Sequence, residues 1–129
     1  QSMDWASIGA RRPNKGKPSE GGWNIFISNQ SGMTAANPLT NLGLAATGDK
    51  AWFGWPCDEK IEALRDEFAT ASSLDDRRRI AQALQDRADE SVPYISFGQW
   101  TQPVAYRSDR LSGILKLPNA FAFWNIAVK

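Results

Sequence analysis

The chain has 129 residues, 42% of them hydrophobic, and a formal net charge of +1 from 15 basic and 14 acidic side chains. This size and apolar content suit one domain with an ordinary core, and the balanced charge argues against a nucleic-acid-binding surface. The chain has no histidine and one cysteine, Cys57, which excludes the usual general base, the usual zinc ligands and an intrachain disulfide.

The N-terminal residues predict a short helix, a loop and a strand. Residues 1–3 are typical of an expression-tag remnant, so the natural segment is expected to begin at Asp4. A short helix or turn is predicted around Trp5 to Ala10, and a loop rich in Pro and Gly follows it to residue 22. The compact run from Trp23 to Ser28 is rich in strand-forming residues and predicts a buried strand.

Residues 29–56 predict a long loop, because Asn, Ser, Gly, Thr and Pro alternate there with scattered apolar residues. A loop of this length inside a compact domain is uncommon and usually functional. Most of the six tryptophans occur in Gly- or Pro-rich stretches rather than on helix faces. Such a distribution suits either a ligand cleft or a surface that meets protein outside this chain.

Two consecutive helices are predicted next. Asp58 is the expected N-cap of the first, in which apolar residues recur at helical spacing as far as Ala71. Residues 73–76 fit a capping box of the type S-x-x-[DE] and predict the start of the second helix. Pro93 disfavours helix in the residue before it, so the second helix should end near Ser91.

The remaining residues predict short extended stretches. Pro93 to Gly98 should form a strand that is entered through proline, and Pro103 to Arg107 a second extended stretch. Residues 108–120 predict a turn-rich crossing, and Phe121 to Val128 a terminal strand.

Motifs that carry chemistry are missing from the sequence. It contains no G-x-G-x-x-G or Walker-type phosphate loop and no G-x-S-x-G nucleophile elbow. The carboxylates of the two helices fall off the apolar stripes and are interpreted as solvated faces. We therefore predict no catalytic residue, no metal site and no cofactor, and a protein that is not an enzyme.

Two further features are expected to be structural. The basic clusters, Arg11-Arg12 with Lys15 and Lys17 and Arg77 to Arg79, are predicted to be solvated surface. Cys57 is predicted to be a small apolar filler rather than a reactive thiol. The polar residues after Trp23 to Ser28 allow two interpretations: groups that hydrogen-bond a polar small molecule, or a satisfied surface loop.

Several short motifs occur in order along residues 4–129. In chain order they read D-W-A-S-x-x-A-R-R, G-G-W-N-I-F, N-P, G-W-P-C-D-E-K-I-E-A-L-R-D-E-F, R-R-I-A-Q-A-L-Q, V-P-Y-I-S-F-G-Q-W-T-Q-P-V-A-Y-R, L-S-G-I-L and F-W-N. This succession resembles the C-terminal quarter of family 5 bacterial extracellular solute-binding proteins, the dipeptide/oligopeptide-binding group of ABC importers.

The resemblance implies an α/β fold: a C-terminal lobe fragment of a two-lobed, periplasmic-binding-protein-like protein of type II, with two consecutive helices flanked by short strands. Residues 4–98 would be part of the C-terminal solute-binding lobe. Residues 99–129 would be the hinge return and a terminal strand that belongs to the N-terminal lobe. A fragment of this kind would expose partner surface and leave the strand from Phe121 to Val128 unpaired, so we expect it to self-associate.

The same resemblance implies ligand contacts in the loop after Trp23 to Ser28. They are expected, in chain order, at Asn29, Gln30, Ser31, Met33 and Thr34. Weaker candidates are Trp55, Gln99 and Trp100, with core or hinge packing as the other role for both tryptophans. Peptide binders of the family commonly carry an acidic residue in this loop to hold a free α-ammonium, but residues 29–38 contain none. A neutral or anionic solute is therefore as open as a peptide.

The implied function is the substrate-binding component of a peptide-type ABC importer. It would capture a small solute reversibly, a peptide or another polar molecule, and deliver it to the membrane permease. The expected location is periplasmic or extracellular, with membrane association if the parent is a lipoprotein. The alternative function is a stand-alone α/β protein-interaction module with an exposed aromatic surface. No nucleic-acid partner is expected.

Overall fold

A computed structural model of the chain describes residues 2–115, 117 and 122–129. The chain divides into two compact units, Gln1–Tyr94 and Ile95–Lys129. The helices of the first unit are α1 (Trp5–Arg11), α2 (Gly32–Ala35), α3 (Glu59–Thr70) and α4 (Leu74–Ser91), with 3-10 turns at Pro18–Glu20 and Gly48–Lys50. The second unit contains the strands β1 (Leu111–Ser112) and β2 (Ala127–Val128). The described chain is thus a mixed structure of helices and one small sheet.

The predicted starts of α3 and α4 are confirmed. The carboxylate of Asp58 accepts hydrogen bonds from the N–H groups of Lys60 and Ile61, each at 3.1 Å. The hydroxyl of Ser73 accepts a hydrogen bond from the N–H of Asp76 at 3.0 Å, and it donates to that residue's carboxylate at 2.6 Å. Both caps satisfy N–H groups that the first turn of a helix leaves without partners.

Packing of α3 against α4 forms the core of the first unit. Ile61 of α3 and Ile80 and Leu84 of α4 are at most 1% exposed. Ala46, from the loop before α3, joins this cluster, and further apolar side chains of the hairpin cover its edges. The core is small because each helix contributes one narrow apolar stripe.

The predicted end of α4 is also confirmed. The helix ends at Ser91, and the next residue, Val92, adopts a left-handed conformation with φ of 48°. Its N–H still donates to the carbonyl of Ala88 at 2.8 Å, so this bond closes the last turn. A β-branched residue is rare in this conformation because its Cβ crowds the backbone.

Two predicted strands in the middle of the chain are wrong. Residues 23–28 and 93–98 contain no strand, although the structure describes all of them. Ile25 and Ile27 are 83% and 70% exposed, so the first of these segments is not buried either. The reason is physical: a strand requires a neighbouring strand for its N–H and C=O groups, and no described segment supplies one.

In the second unit the predicted terminal strand is shorter than expected and has a partner. β2 pairs antiparallel with β1, with Leu111 opposite Val128 and Ser112 opposite Ala127. The expectation that the terminal strand is unpaired is therefore wrong for Ala127–Val128. The beginning of that prediction, Phe121, lies outside the described residues, as do residues 116 and 118–120 of the predicted crossing.

The predicted turn before β1 is present, since Arg107 accepts backbone hydrogen bonds from Arg110 at 3.1 Å and from Leu111 at 2.8 Å. In the described part of the chain, no helix is both long and apolar enough to cross a bilayer.

Candidate functional site

Three residues of the predicted ligand loop, Gln30, Ser31 and Thr34, form side-chain hydrogen bonds within the protein. Ser31 caps α2, because its hydroxyl accepts from the N–H of Thr34 at 3.2 Å and lies 2.8 Å from the Thr34 hydroxyl. Gln30 donates from Nε2 to Oδ1 of Asn41 at 2.8 Å. Asn29 is exposed, and Met33 is 62% exposed. The structure therefore gives the loop an ordered polar base and leaves Asn29 and Met33 facing solvent.

Asn41 organises this loop, and the sequence analysis missed it. Its side chain is only 2% exposed and its donors and acceptor are all used. Oδ1 also accepts from the N–H of Gly43 at 3.0 Å, while Nδ2 donates to the carbonyl of Ala35 at 3.1 Å and to the Tyr94 hydroxyl at 3.3 Å. Several asparagines occur in this loop, and no local pattern distinguishes the one that becomes buried.

A cavity of about 240 Å³ lies beside Asn41. Phe68 of α3, Gln85 of α4 and Tyr94 contribute to its wall, together with the end of α2. Its mixture of apolar surface with amide and hydroxyl groups suits a small polar solute. Gln30 reaches this cavity indirectly, through its hydrogen bond to Asn41.

Trp55, a weaker ligand candidate, lies in an aromatic cluster and not in the ligand loop. The cluster comprises five rings, those of Trp23, Phe26, Trp52, Phe53 and Trp55. Trp23 stacks on Trp55 with ring centroids 5.9 Å apart and meets Phe26 edge-on at 4.6 Å. Trp55 also has a φ of 48°, a strained backbone conformation for a residue with a Cβ. Its packing role is therefore observed, and ligand contact stays a prediction.

The prediction that the first basic cluster is solvated is wrong for Arg11 and Arg12, which are half-buried. Arg11 donates to the carbonyls of Gly21 and Gly22, the second at 2.7 Å. The guanidinium carbon of Arg12 lies 4.6 Å from the ring centre of Phe53 and 5.8 Å from those of Trp5 and Trp52. We call Arg12 with these three rings the Arg12 cage.

Lys15 extends the positive charge along the aromatic cluster. Its ammonium lies 4.6 Å from the centre of the Trp55 ring and forms an ion pair with Asp49. The hydrogen bond and charge of Lys15 lower the pKa of Asp49 from its usual value. Arg12 and Lys15 thus both pack on aromatic rings. This part of the basic cluster forms an aromatic surface that carries two positive charges.

Two helix carboxylates also depart from the predicted solvated faces. Glu62 accepts from the N–H of Ala46 at 2.7 Å and from Arg65 at 2.6 Å. The side chain of Asp58, 10% exposed, pairs with Arg87 of α4 at 2.8 Å. The hydrogen bond from Arg87 and those from backbone N–H groups keep the pKa of Asp58 below its usual value. Glu62 therefore joins the loop before α3 to that helix, and Asp58 joins the start of α3 to α4.

Cys57 is exposed, so the predicted filler role is wrong. It lies in the wall of a second cavity of about 280 Å³, with Asp58 and Pro93. Among the described residues, no group of three or more His, Cys, Asp or Glu side chains could hold a metal ion.

The last two ligand candidates lie in the second unit. Gln99 is exposed, and Trp100 is 64% exposed. They belong to a segment, residues 95–106, that makes no backbone hydrogen bond to any described residue. Their participation in a ligand site remains a prediction.

Comparison with known proteins shows a similarity to part of a longer protein. No known protein-family profile matches the sequence. The chain is 40% identical over 112 residues to the "Probable peptide ABC transporter periplasmic-binding protein y4tO" of Sinorhizobium fredii. The match covers 87% of this chain but 21% of that relative, so the chain spans about a fifth of the relative's length. Most of this chain therefore resembles one part of a longer protein.

Proposed function

We propose that this chain is part of the solute-binding protein of an ABC importer and does not catalyse a reaction. The observation that carries the proposal is the 40% identity, over 87% of the chain, to a protein named as a peptide ABC transporter periplasmic-binding protein. By this proposal the parent protein belongs to the family 5 group, has two lobes of type II, and works outside the cytoplasmic membrane with a permease. It is membrane-associated if the parent is a lipoprotein.

The exposed apolar residues of the chain support a role as part of a larger protein. Ile25, Phe97 and Trp124 are between 79% and 83% exposed, and the 23–30 segment makes no backbone hydrogen bond to any described residue. Large exposed apolar surfaces mark contact sites, and backbone groups without partners are available to pair with other chains. In the parent, residues 4–98 would belong to the C-terminal lobe and residues 99–129 to the hinge return and the N-terminal lobe.

The candidate ligand contacts suit a solute without a free ammonium group. Residues 29–38 provide amides and hydroxyls but no carboxylate. A buried ammonium without a counter-charge is costly, so this loop favours a neutral or anionic solute, or a peptide whose ammonium is held elsewhere. By this proposal Asn29 and Met33, which face solvent in the described chain, contact the solute when the parent closes on it.

A chimera tests the function directly. The matching 112-residue region of the Sinorhizobium fredii relative would be replaced by this chain, and the melting temperature measured with and without a mixture of short peptides. We expect a folded chimera whose melting temperature rises with the peptides, as binding to the native state requires. The same chimera with Ile61→Asp is the unfolded control, because this change places a charge in the core and should prevent folding.

Two results would refute the proposal. One is a chimera that folds no better than the Ile61→Asp control. The other is a folded chimera that binds no solute while the isolated chain captures a defined protein through its exposed aromatic residues, which would favour the interaction-module alternative.

Self-association of the isolated chain is part of the same proposal. Light scattering over a concentration series should show an increasing mean mass for the wild-type chain. The double variant Ile25→Lys with Ile27→Lys should reduce this increase, because it replaces two exposed apolar side chains with charged ones. Arg78→Gln, on the exposed face of α4, is the matched control, and a concentration-independent monomer would contradict this part of the proposal.

A further inference from the structure

The Arg12 cage has a feature that neither the predicted ligand loop nor the similarity explains. The Nε of Arg12 is buried and has no hydrogen-bond partner. Within the described part of the chain, the Arg12 side chain donates no hydrogen bond and forms no ion pair. Aromatic faces attract a guanidinium but supply no lone pairs for its five N–H donors.

The two Nη groups of Arg12 are not among the fully buried atoms without a partner. They have no partner among the described residues, and only Nε of this guanidinium is both buried and unpaired. A ligand can therefore approach the end of the guanidinium while the three rings cover its sides. The rings exclude water from part of the charged group. The attraction between the guanidinium and an anion at its open end is therefore stronger than it would be for a fully hydrated arginine.

We propose that the Arg12 cage binds a carboxylate group. Two Nη donors at the end of a planar guanidinium match the two oxygens of a planar carboxylate. A ligand with one negative charge also suits the local charges, because the neighbouring cation, Lys15, is already neutralised by Asp49, whereas Arg12 has no counter-ion among the described residues. The carboxylate comes either from a small solute or from a part of the longer parent protein that covers this surface.

An NMR titration of the full chain tests the site. N-acetylglycine carries one carboxylate, and N-acetylglycinamide is the same molecule with a neutral amide in its place. At constant ionic strength, the acid should shift the indole N–H signals of Trp5 and Trp52, and the amide should not. Equal shifts with acid and amide, or no shift with either, would overturn the proposal.

Variants at Arg12 separate binding from folding. Arg12→Gln should abolish the acid-specific shifts, and Arg12→Lys should weaken the apparent affinity about tenfold, because lysine keeps the charge but loses the paired donors. Arg78→Gln is the matched control and should titrate like wild type. The indole N–H of Trp23 donates to the Arg12 carbonyl at 2.8 Å, so its unchanged signal shows that a variant is folded. Acid-specific shifts that persist in a folded Arg12→Gln variant would refute the site.

The chimera described above distinguishes the two sources of the carboxylate. If the solute supplies it, N-acetylglycine still shifts the signals of the chimera. If the parent supplies it, the chimera no longer responds, and Arg12→Gln lowers its melting temperature more than Arg78→Gln does. A chimera that neither responds to the acid nor depends on Arg12 contradicts the inference. The inference does not require the proposed function: a chimera that fails to fold refutes that function and leaves the titration of the isolated chain standing.

Discussion

The sequence predicts regular structure for the α3–α4 hairpin (residues 58–92) and for residues 23–28 of the 23–30 segment, but only the hairpin adopts it. In the hairpin, Ile61, Ile80 and Leu84 are at most 1% exposed, and side chains of the chain itself cap both helix starts. In the 23–30 segment, Ile25 is 83% exposed and no backbone hydrogen bond reaches another described residue.

The difference reflects where each kind of element finds its hydrogen-bond partners. A helix satisfies its backbone groups within its own residues and needs only one apolar face against a neighbour. A strand depends on a second strand for every backbone bond. Two helices adjacent in sequence can therefore form a hairpin by themselves, whereas a strand without a paired neighbour cannot form.

The largest expected effect comes from a core change in the hairpin. Leu84→Ala should reduce the free energy of unfolding by about 2–5 kcal/mol, since it leaves a cavity between α3 and α4. Ile25→Ala is the matched change in the 23–30 segment and should alter it by no more than about 0.5 kcal/mol. Urea unfolding followed by far-UV circular dichroism measures both. Similar losses in the two variants would mean that the 23–30 segment is packed in solution, and the comparison would fail.

An intermediate effect is expected at the ion pair that joins the start of α3 to α4. Asp58→Asn keeps an N-cap acceptor but removes the charge that pairs with Arg87. The pKa of Asp58 lies below its ordinary value of 3.8, so the pair stabilises the folded state above that pH. This stabilisation should be lost as the pH falls through the lowered pKa.

Unfolding curves between neutral and acidic pH measure this contribution. Below pH 3.8, wild type should lose more stability than Asp58→Asn. At neutral pH, Asp58→Asn should be less stable than wild type, but the loss should be smaller than that caused by Leu84→Ala. Asp75→Asn, at a side chain that is 93% exposed, is the control and should keep the wild-type pH dependence. An Asp58→Asn curve parallel to wild type would show that the pair contributes nothing.

The comparison also separates what sequence could and could not predict. Caps and apolar spacing placed both helices and the end of α4, because these signals lie within a few residues of the structure they determine. The same information could not reveal that Arg12 packs on Phe53, or that Asn41 is buried by Ala35 and Tyr94. Those environments depend on residues up to 53 positions away in the chain.

For the candidate site, the sequence shows polar residues after residue 28 but does not identify their hydrogen-bond partners. Ser31 and Thr34 bond to each other as a helix cap, and Gln30 bonds to Asn41. The four-residue helix that these bonds support is too short to show a periodic apolar pattern. Ligand contact at the predicted positions is therefore still a prediction, and the chimera is the experiment that addresses it.

The smallest expected effect is at the end of the hairpin, and it is the only predicted increase in the free energy of unfolding. Val92 has a left-handed conformation with φ of 48° and is 53% exposed, so its side chain contributes little burial to offset the strain. Val92→Gly should raise the free energy of unfolding by up to about 1 kcal/mol, because glycine adopts this conformation without a Cβ clash, although its more flexible unfolded chain offsets part of the gain. Val92→Ala loses the same branched side chain but keeps Cβ, and should show no such gain. Equal stabilities of the two variants would mean that Val92 relaxes to a right-handed conformation in solution, and the hairpin would then lack a fixed end at Ser91.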